Sequence, residues 1–124
     1  MKTIVEEILE LDDIIRFVGV IGKKENTLNC KMKEGKVSLL TPREEEIFAM
    51  DLEKIAQIRD AFNGTLGKTT FSYLMREKVH MLNYYTDNLI VSVTCEPRLD
   101  FLKIREISNK IEPIVKKTNL LLQH

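Results

Sequence analysis

The amino-acid sequence predicts an α+β fold, a five-stranded antiparallel sheet covered by helices on both faces, with elements in the order α-β-β-α-β-β-β-α. Three observations lead there. Apolar residues recur at helical spacing in three segments, near the start, the middle and the end of the chain. Between the second and third of these lie three runs of alternating character, from Thr69 to Cys95. The turns joining those runs, Glu77-Lys78 and Thr86-Asp87-Asn88, are short and polar, as hairpin turns are. No linker, repeat or low-complexity tract divides the 124 residues. The expectation is one domain spanning 1–124, large enough to bury roughly two-thirds of its unfolded surface without a metal or disulfide staple.

Each element has its own justification. Ile4, Ile8, Leu11 and Ile15 fall on one helix face, with Glu6, Glu7, Glu10, Asp12 and Asp13 on the other side, so an amphipathic helix opens the chain. Phe17-Val18-Gly19-Val20-Ile21-Gly22 is a β-branched run that ends at Lys23-Lys24-Glu25-Asn26, and predicts a strand turning into a second strand, Leu28 to Met32. At Thr41-Pro42-Arg43-Glu44, Thr41 can cap free amides, Pro42 suits the first helical position, and Glu44 completes a capping box. Glu44, Glu45 and Glu46 meet the positive end of the helix dipole. The apolar residues of this middle helix, Ile47, Phe48, Leu52, Ile55, Ile58 and Phe62, span an arc of about 140°, wider than a minimal core stripe. Asp51 and Arg59 project within that arc. Asn63-Gly64 is expected to end the helix, with the glycine as a left-handed cap.

In the meander, Thr69, Phe71, Tyr73 and Met75 share a face, as do Val79, Met81, Asn83 and Tyr85, and then Leu89, Val91, Val93 and Cys95. Glu96-Pro97-Arg98 breaks the last strand. Leu99, Leu102, Ile104, Ile107, Ile111 and Ile114 predict a final helix that Pro113 should kink or loosen. Leu120-Leu121-Leu122 is read as an apolar tail that either tucks against the sheet or serves a partner.

Composition excludes several classes. Nineteen basic and nineteen acidic side chains cancel, which argues against a nucleic-acid binder held by bulk charge. The lysines between Lys23 and Lys36 (Lys23, Lys24, Lys31, Lys33 and Lys36) make the most basic ribbon, but acids are interspersed and lysines also guard an edge strand from foreign pairing. The acidic N-terminal stretch does not suit a targeting signal, and no run reaches the ~18 apolar residues of a membrane span. Cys30 and Cys95 lie far apart and read as isolated, buried thiols of a reducing compartment, so the expected location is the cytoplasm.

The motifs hold little catalytic chemistry. Gly64-Thr65-Leu66-Gly67-Lys68-Thr69 resembles the tail of a phosphate-binding loop, but Phe62 stands where the first glycine belongs, and a helix precedes it where a strand should. Asn63-Gly64-Thr65 matches a glycosylation sequon, which matters only in a secreted protein. His80 and His124 form no ligand spacing with the cysteines, and His80 reads as a hydrogen-bonded sheet histidine. Ser38, Ser72, Ser92 and Ser108 lie in no nucleophile motif. Tyr73, Tyr84 and Tyr85 beside Arg76 and Lys78 suit cross-strand packing better than a stacking platform for single strands. The expectation is no enzyme, no cofactor and no metal.

The order and lengths of these elements, from Thr3 to Thr118, together with the glycine-bearing first strand Phe17 to Gly22, resemble the roadblock family of dynein light chains and bacterial GTPase-regulating relatives, within the roadblock and longin superfamily. The resemblance implies a sheet in spatial order 2-1-5-4-3, with Pro42 to Phe62 as the middle helix on one face and the terminal helices on the other. It implies a dimerising scaffold or regulator, with a small GTPase or another roadblock-like protein as partner. Lys68 to Arg76 would be the edge strand that pairs with a second copy, and the middle helices would pack beside each other across a two-fold axis. The interface residues are then Phe48, Asp51, Leu52, Ile55, Arg59 and Phe62 on the helix, with Phe71 and Tyr73 on the strand. Profilin-like domains share much of the succession. A small-molecule sensor, with its ligand between helix and sheet, is the alternative function.

Overall fold

Alternation along the strands gives the sheet two apolar faces, and each must be covered. The computed structural model describes residues 2–23 and 27–122, with α1 (Ile4–Leu9), β1 (Ile15–Gly22), β2 (Thr27–Met32), α2 (Pro42–Asp60), α3 (Asn63–Leu66), β3 (Phe71–Met75), β4 (His80–Tyr85), β5 (Leu89–Cys95) and α4 (Phe101–Leu122). The strands form one antiparallel sheet in the order β2-β1-β5-β4-β3. This is the arrangement the resemblance implies. Lys24, Glu25 and Asn26 of the expected hairpin turn, and His124, lie outside the described residues.

One face carries most of the core. Val18, Val20, Leu82, Tyr84, Val91 and Val93 pack against Ile8 of α1 and against Ile104, Ile107, Ile111 and Val115 of α4. On the other face the apolar cluster is smaller, with Ile21, Tyr85 and Ile90 packed under Ala56 and the half-buried Leu52 of α2, and Met81, Asn83 and Ser92 are buried on the same face. A bulge in the β1–β5 register between Ile15 and Phe17 lets β1 serve both faces: Ile15 joins the larger core, and Phe17 borders the space beneath α2.

Four expectations are corrected. α1 stops at Leu9 rather than running on to Ile15, because Asp12 Oδ1 accepts the Ile14 amide at 3.0 Å and turns the chain into β1. The middle helix begins as expected, with both bonds of the Thr41–Glu44 capping box present, but it ends at Asp60. Asn63 and Gly64 form the short α3, and the left-handed glycine is Gly67, at φ +82°. In α4, Leu102 is exposed instead of lying in the core, and the helix continues through Pro113 to Leu122. Leu120, Leu121 and Leu122 are therefore helical and exposed, so of the two expected fates of this tail the one that tucks it against the sheet is overturned. Pro113 is tolerated because it and Asn109, whose carbonyl loses its amide partner, lie on the exposed side.

The thiols are also separated. Cys95 is fully buried in the larger core, while Cys30 is exposed on β2 rather than buried, beneath the opposite face.

Candidate functional site

Helix α2 decides what this surface can do. At about 100° per residue, Glu45, Ala49, Leu52 and Ala56 share the side that meets the sheet. Two of these contacts are alanines, too weakly patterned for the sequence to reveal. The large apolar residues Ile47, Ile55, Ile58 and Phe62 are turned to one flank and exposed, with Asp51 and Arg59 among them, also exposed. Phe48 and Leu52, at the edge of that flank, are half-buried. The expected 140° arc thus touches the sheet only at its rim.

Glu46 and Ala49 line a groove on the β1–β2 side of α2. Ile55 and Phe62 lie well round the helix from them, so the apolar flank stands toward the β3 side. Strand β3 is an edge of the sheet, and its backbone groups are open to another chain. Leu74 and Met75 of β3 are exposed, as is Leu66 of α3. Leu74 pairs with Met81 on the α2 face and extends the apolar flank, a contribution the sequence reading missed because its alternation counted only the opposite face of the strand.

Phe71 and Tyr73 are on that opposite face. Phe71 is exposed at the strand end and packs on Tyr84, ring centroids 5.1 Å apart. Tyr73 is half-buried and bonds through its hydroxyl to Nδ1 of the buried His80, which is thus a hydrogen-bonded sheet histidine. The eight predicted interface residues are therefore not one patch. Ile55, Asp51, Arg59 and Phe62 are brought together, Phe48 and Leu52 lie behind them, and Phe71 and Tyr73 share only the β3 backbone edge with the rest.

The other candidate chemistries are engaged structurally. Lys23 Nζ donates to the Thr86 carbonyl at 2.7 Å, Lys33 Nζ to the Asp12 carbonyl at 2.8 Å, and Lys36 pairs with Glu96 at 2.6 Å, so the basic ribbon spends these lysines on its own chain. Lys68 of the loop-like motif pairs with Asp87 at 2.8 Å. Tyr84 and Tyr85 are buried on opposite faces, and burial pushes the Tyr84 phenol well above its ordinary range, so no stacking platform assembles. Among the described residues no cluster of three His, Cys, Asp or Glu side chains is placed to hold a metal ion, and no helix is long and apolar enough to cross a membrane.

No family model and no curated protein matches the chain. Solved structures do. A roadblock/LC7 domain from Streptomyces avermitilis superposes with a TM-score of 0.70 over 98% of this chain and 96% of its own, at 7% identity. The gliding protein MglB from Thermus thermophilus gives a TM-score of 0.64 at 15% identity, over 92% of this chain and 87% of its own. MglC from Myxococcus xanthus gives 0.54 at 11% identity, over 92% and 95%. At these identities the likeness is one of fold, and the chain has the roadblock fold.

Proposed function

We propose that this chain is a non-enzymatic interaction module of the cytoplasm that pairs with a second copy of itself and, so paired, scaffolds or regulates a partner. The observation that carries the proposal is the apolar flank of α2, Ile55, Ile58 and Phe62, standing on the side of the open β3 edge. A lone chain leaves both exposed to water. An isologous dimer would satisfy both at once: β3 pairs antiparallel with its copy, extending the sheet, while the two α2 flanks pack against each other. Such a contact should bury on the order of 1,600 Å² in total. Asp51 and Arg59 lie about 12 Å apart along α2, and an antiparallel copy would bring each opposite the other. A small GTPase is the class of partner that the roadblock resemblance implies, and the fold shared with the roadblock/LC7 domain, MglB and MglC supports that resemblance.

Light scattering at micromolar concentration is the test, with about twice the 14.4 kDa chain mass expected. Ile55→Asp with Phe62→Ser should return the chain mass while the far-ultraviolet circular dichroism stays folded, since both side chains are exposed. Asp51→Arg should weaken the dimer, and adding Arg59→Asp should restore it. A wild-type monomer at these concentrations overturns the homodimer. A dimer indifferent both to Ile55→Asp with Phe62→Ser and to Asp51→Arg alone places its contact elsewhere.

A further inference from the structure

The sheet face beneath α2 is crossed by a row of small and polar residues. Register pairs Cys30 with Gly19, Gly19 with Ser92, Ser92 with Asn83, and Asn83 with Ser72. Cross-strand partners share a face, and Ile21, Ile90 and Tyr85, one row away, lie under Ala56 and Leu52 of α2. The row is therefore the floor of the space below the helix. Because its side chains are short and α2 meets the sheet largely through alanines, the floor is not filled. A groove of about 230 Å³ remains between the first half of α2 and the β1–β2 hairpin.

Its walls are apolar, formed by Phe48 and Leu52 from above and by Ile21, Leu28 and Phe17 from below. Phe17 reaches across Gly19, where a Cβ would stand 3.2 Å from its ring. The polar floor is unfinished. Asn83 Nδ2 donates to Ser72 Oγ at 3.3 Å, and Ser72 Oγ bonds the Tyr85 hydroxyl at 3.1 Å. The network then stops at two orphaned oxygens, Asn83 Oδ1 and Ser92 Oγ. Ser92 is only 2% exposed, lines the groove, and has no bonding partner for its hydroxyl. Buried hydroxyls are rarely left so.

Charge narrows the occupant. Glu45 and Glu46 line the groove and no Lys or Arg does. Cys30, also in the lining, has its thiol pKa raised first by burial and then by the Glu45 carboxylate. Glu44 is occupied by the Thr41 cap, and Glu45 Oε1 accepts from Ser38 Oγ at 2.7 Å, which leaves its second carboxylate oxygen and the Glu46 carboxylate for a ligand. A carboxylic acid would be repelled here, and a purely apolar molecule would leave Ser92 unpaired. We propose that the groove between α2 and the β1–β2 hairpin is a binding site for a small primary amine with an aromatic or branched apolar body, its body between Phe48, Leu52 and Phe17, and its ammonium held by Ser92 Oγ and the Glu45 and Glu46 carboxylates. The volume suits a molecule of about ten heavy atoms, given that a cavity of about 150 Å³ accepts benzene.

The test titrates the full chain with 2-phenylethylamine, isopentylamine and 3-phenylpropanoate, read by ¹H–¹⁵N amide shifts. The amines should give saturable shifts centred on Gly19, Cys30 and Ser92, with a Kd at or below about 1 mM, and the carboxylate should bind at least about tenfold more weakly. Ser92→Ala should weaken the amines about tenfold, and Glu45→Gln with Glu46→Gln should erase the preference for amine over carboxylate. A readout that needs no variant is alkylation of Cys30 by iodoacetamide, which a saturating amine should slow severalfold. Shifts that fail to saturate by 20 mM for both amines, equal binding of amine and carboxylate by the wild type, or saturable shifts centred away from the groove would each overturn the proposal.

Discussion

Cys30 and Cys95 show how much one residue's setting matters. Both occur in strand-like runs, yet burial in the α1/α4 core pushes the Cys95 thiol up to about 12, while Cys30 lies exposed on the edge strand β2. Thiolate, not thiol, is the nucleophile. At pH 8 iodoacetamide should therefore place one label per native chain, on Cys30, and a second only after denaturation in urea; comparable native rates at both positions would contradict the packing described. Two carboxylates make a second residue-scale case. The Ile14 amide, and then Lys103, hold Asp12 below its ordinary pKa against the opposing effect of burial. Lys36, and then Arg16, do the same for Glu96, again opposed by burial. Depressed folded-state values mean that the unfolded chain binds more protons on acidification, so this contribution is complete above the ordinary carboxylate range near pH 4 and is lost as pH falls through the lowered values. Asp12→Asn with Glu96→Gln should lower the urea midpoint at pH 7 and flatten its decline between about pH 5 and pH 2. An unaltered acid decline would mean that other groups govern it.

At the scale of elements, the two ends of α2 contrast. Its start is written locally: the residue types of Thr41, Pro42 and Glu44 satisfy the first amides whatever the rest of the chain does. Its end is not, since Ala61 and Phe62 close in turns and the chain coils once more through α3 before Gly67 stops it. Gly67, at φ +82° and ψ 168°, occupies a region that only glycine enters cheaply. Gly67→Ala should cost about 1–3 kcal/mol. Gly64→Ala, inside α3 with open space where its Cβ would be, should be neutral or stabilising by up to about 1 kcal/mol. Urea denaturation of both variants checks the pair, and equal losses would return the cap to Gly64.

The whole molecule is lopsided. α4 buries Ile104, Ile107, Ile111 and Val115, whereas α2, of similar length, buries Ala56 alone. Stability follows buried apolar area, so α2 should open at lower free energy than α4, β1 and β5. Native-state hydrogen exchange should show this ordering at low protein concentration, with α2 gaining protection as concentration rises and its flank is covered by a second copy. Ile111→Ala should cost about 2–5 kcal/mol and Leu52→Ala distinctly less. Uniform protection across α2 and α4 at all concentrations would remove the asymmetry.

Much of this architecture is a matter of period and punctuation, and those are local. The meander, the capped start of α2, the α4 core stripe from Ile104 to Ile111 and the strand position of His80 all follow from spacings of two or about 3.6 and from turn chemistry, which neighbouring residues impose on each other without distant help. Tertiary structure decided what sequence distance conceals. Whether Ile15 belongs to α1 or β1 was settled by the Asp12 turn and the bulge opposite Cys95. Ala49 and Ala56, not the larger residues of α2, proved to meet the sheet, because the closeness of a helix to a sheet depends on what stands across from it. The same reason scattered Phe71 and Tyr73 from the α2 flank and gathered Gly19, Asn83 and Ser92 beneath it. Residues of ordinary type from three separate strands acquire a common role only when strand order and register place them side by side.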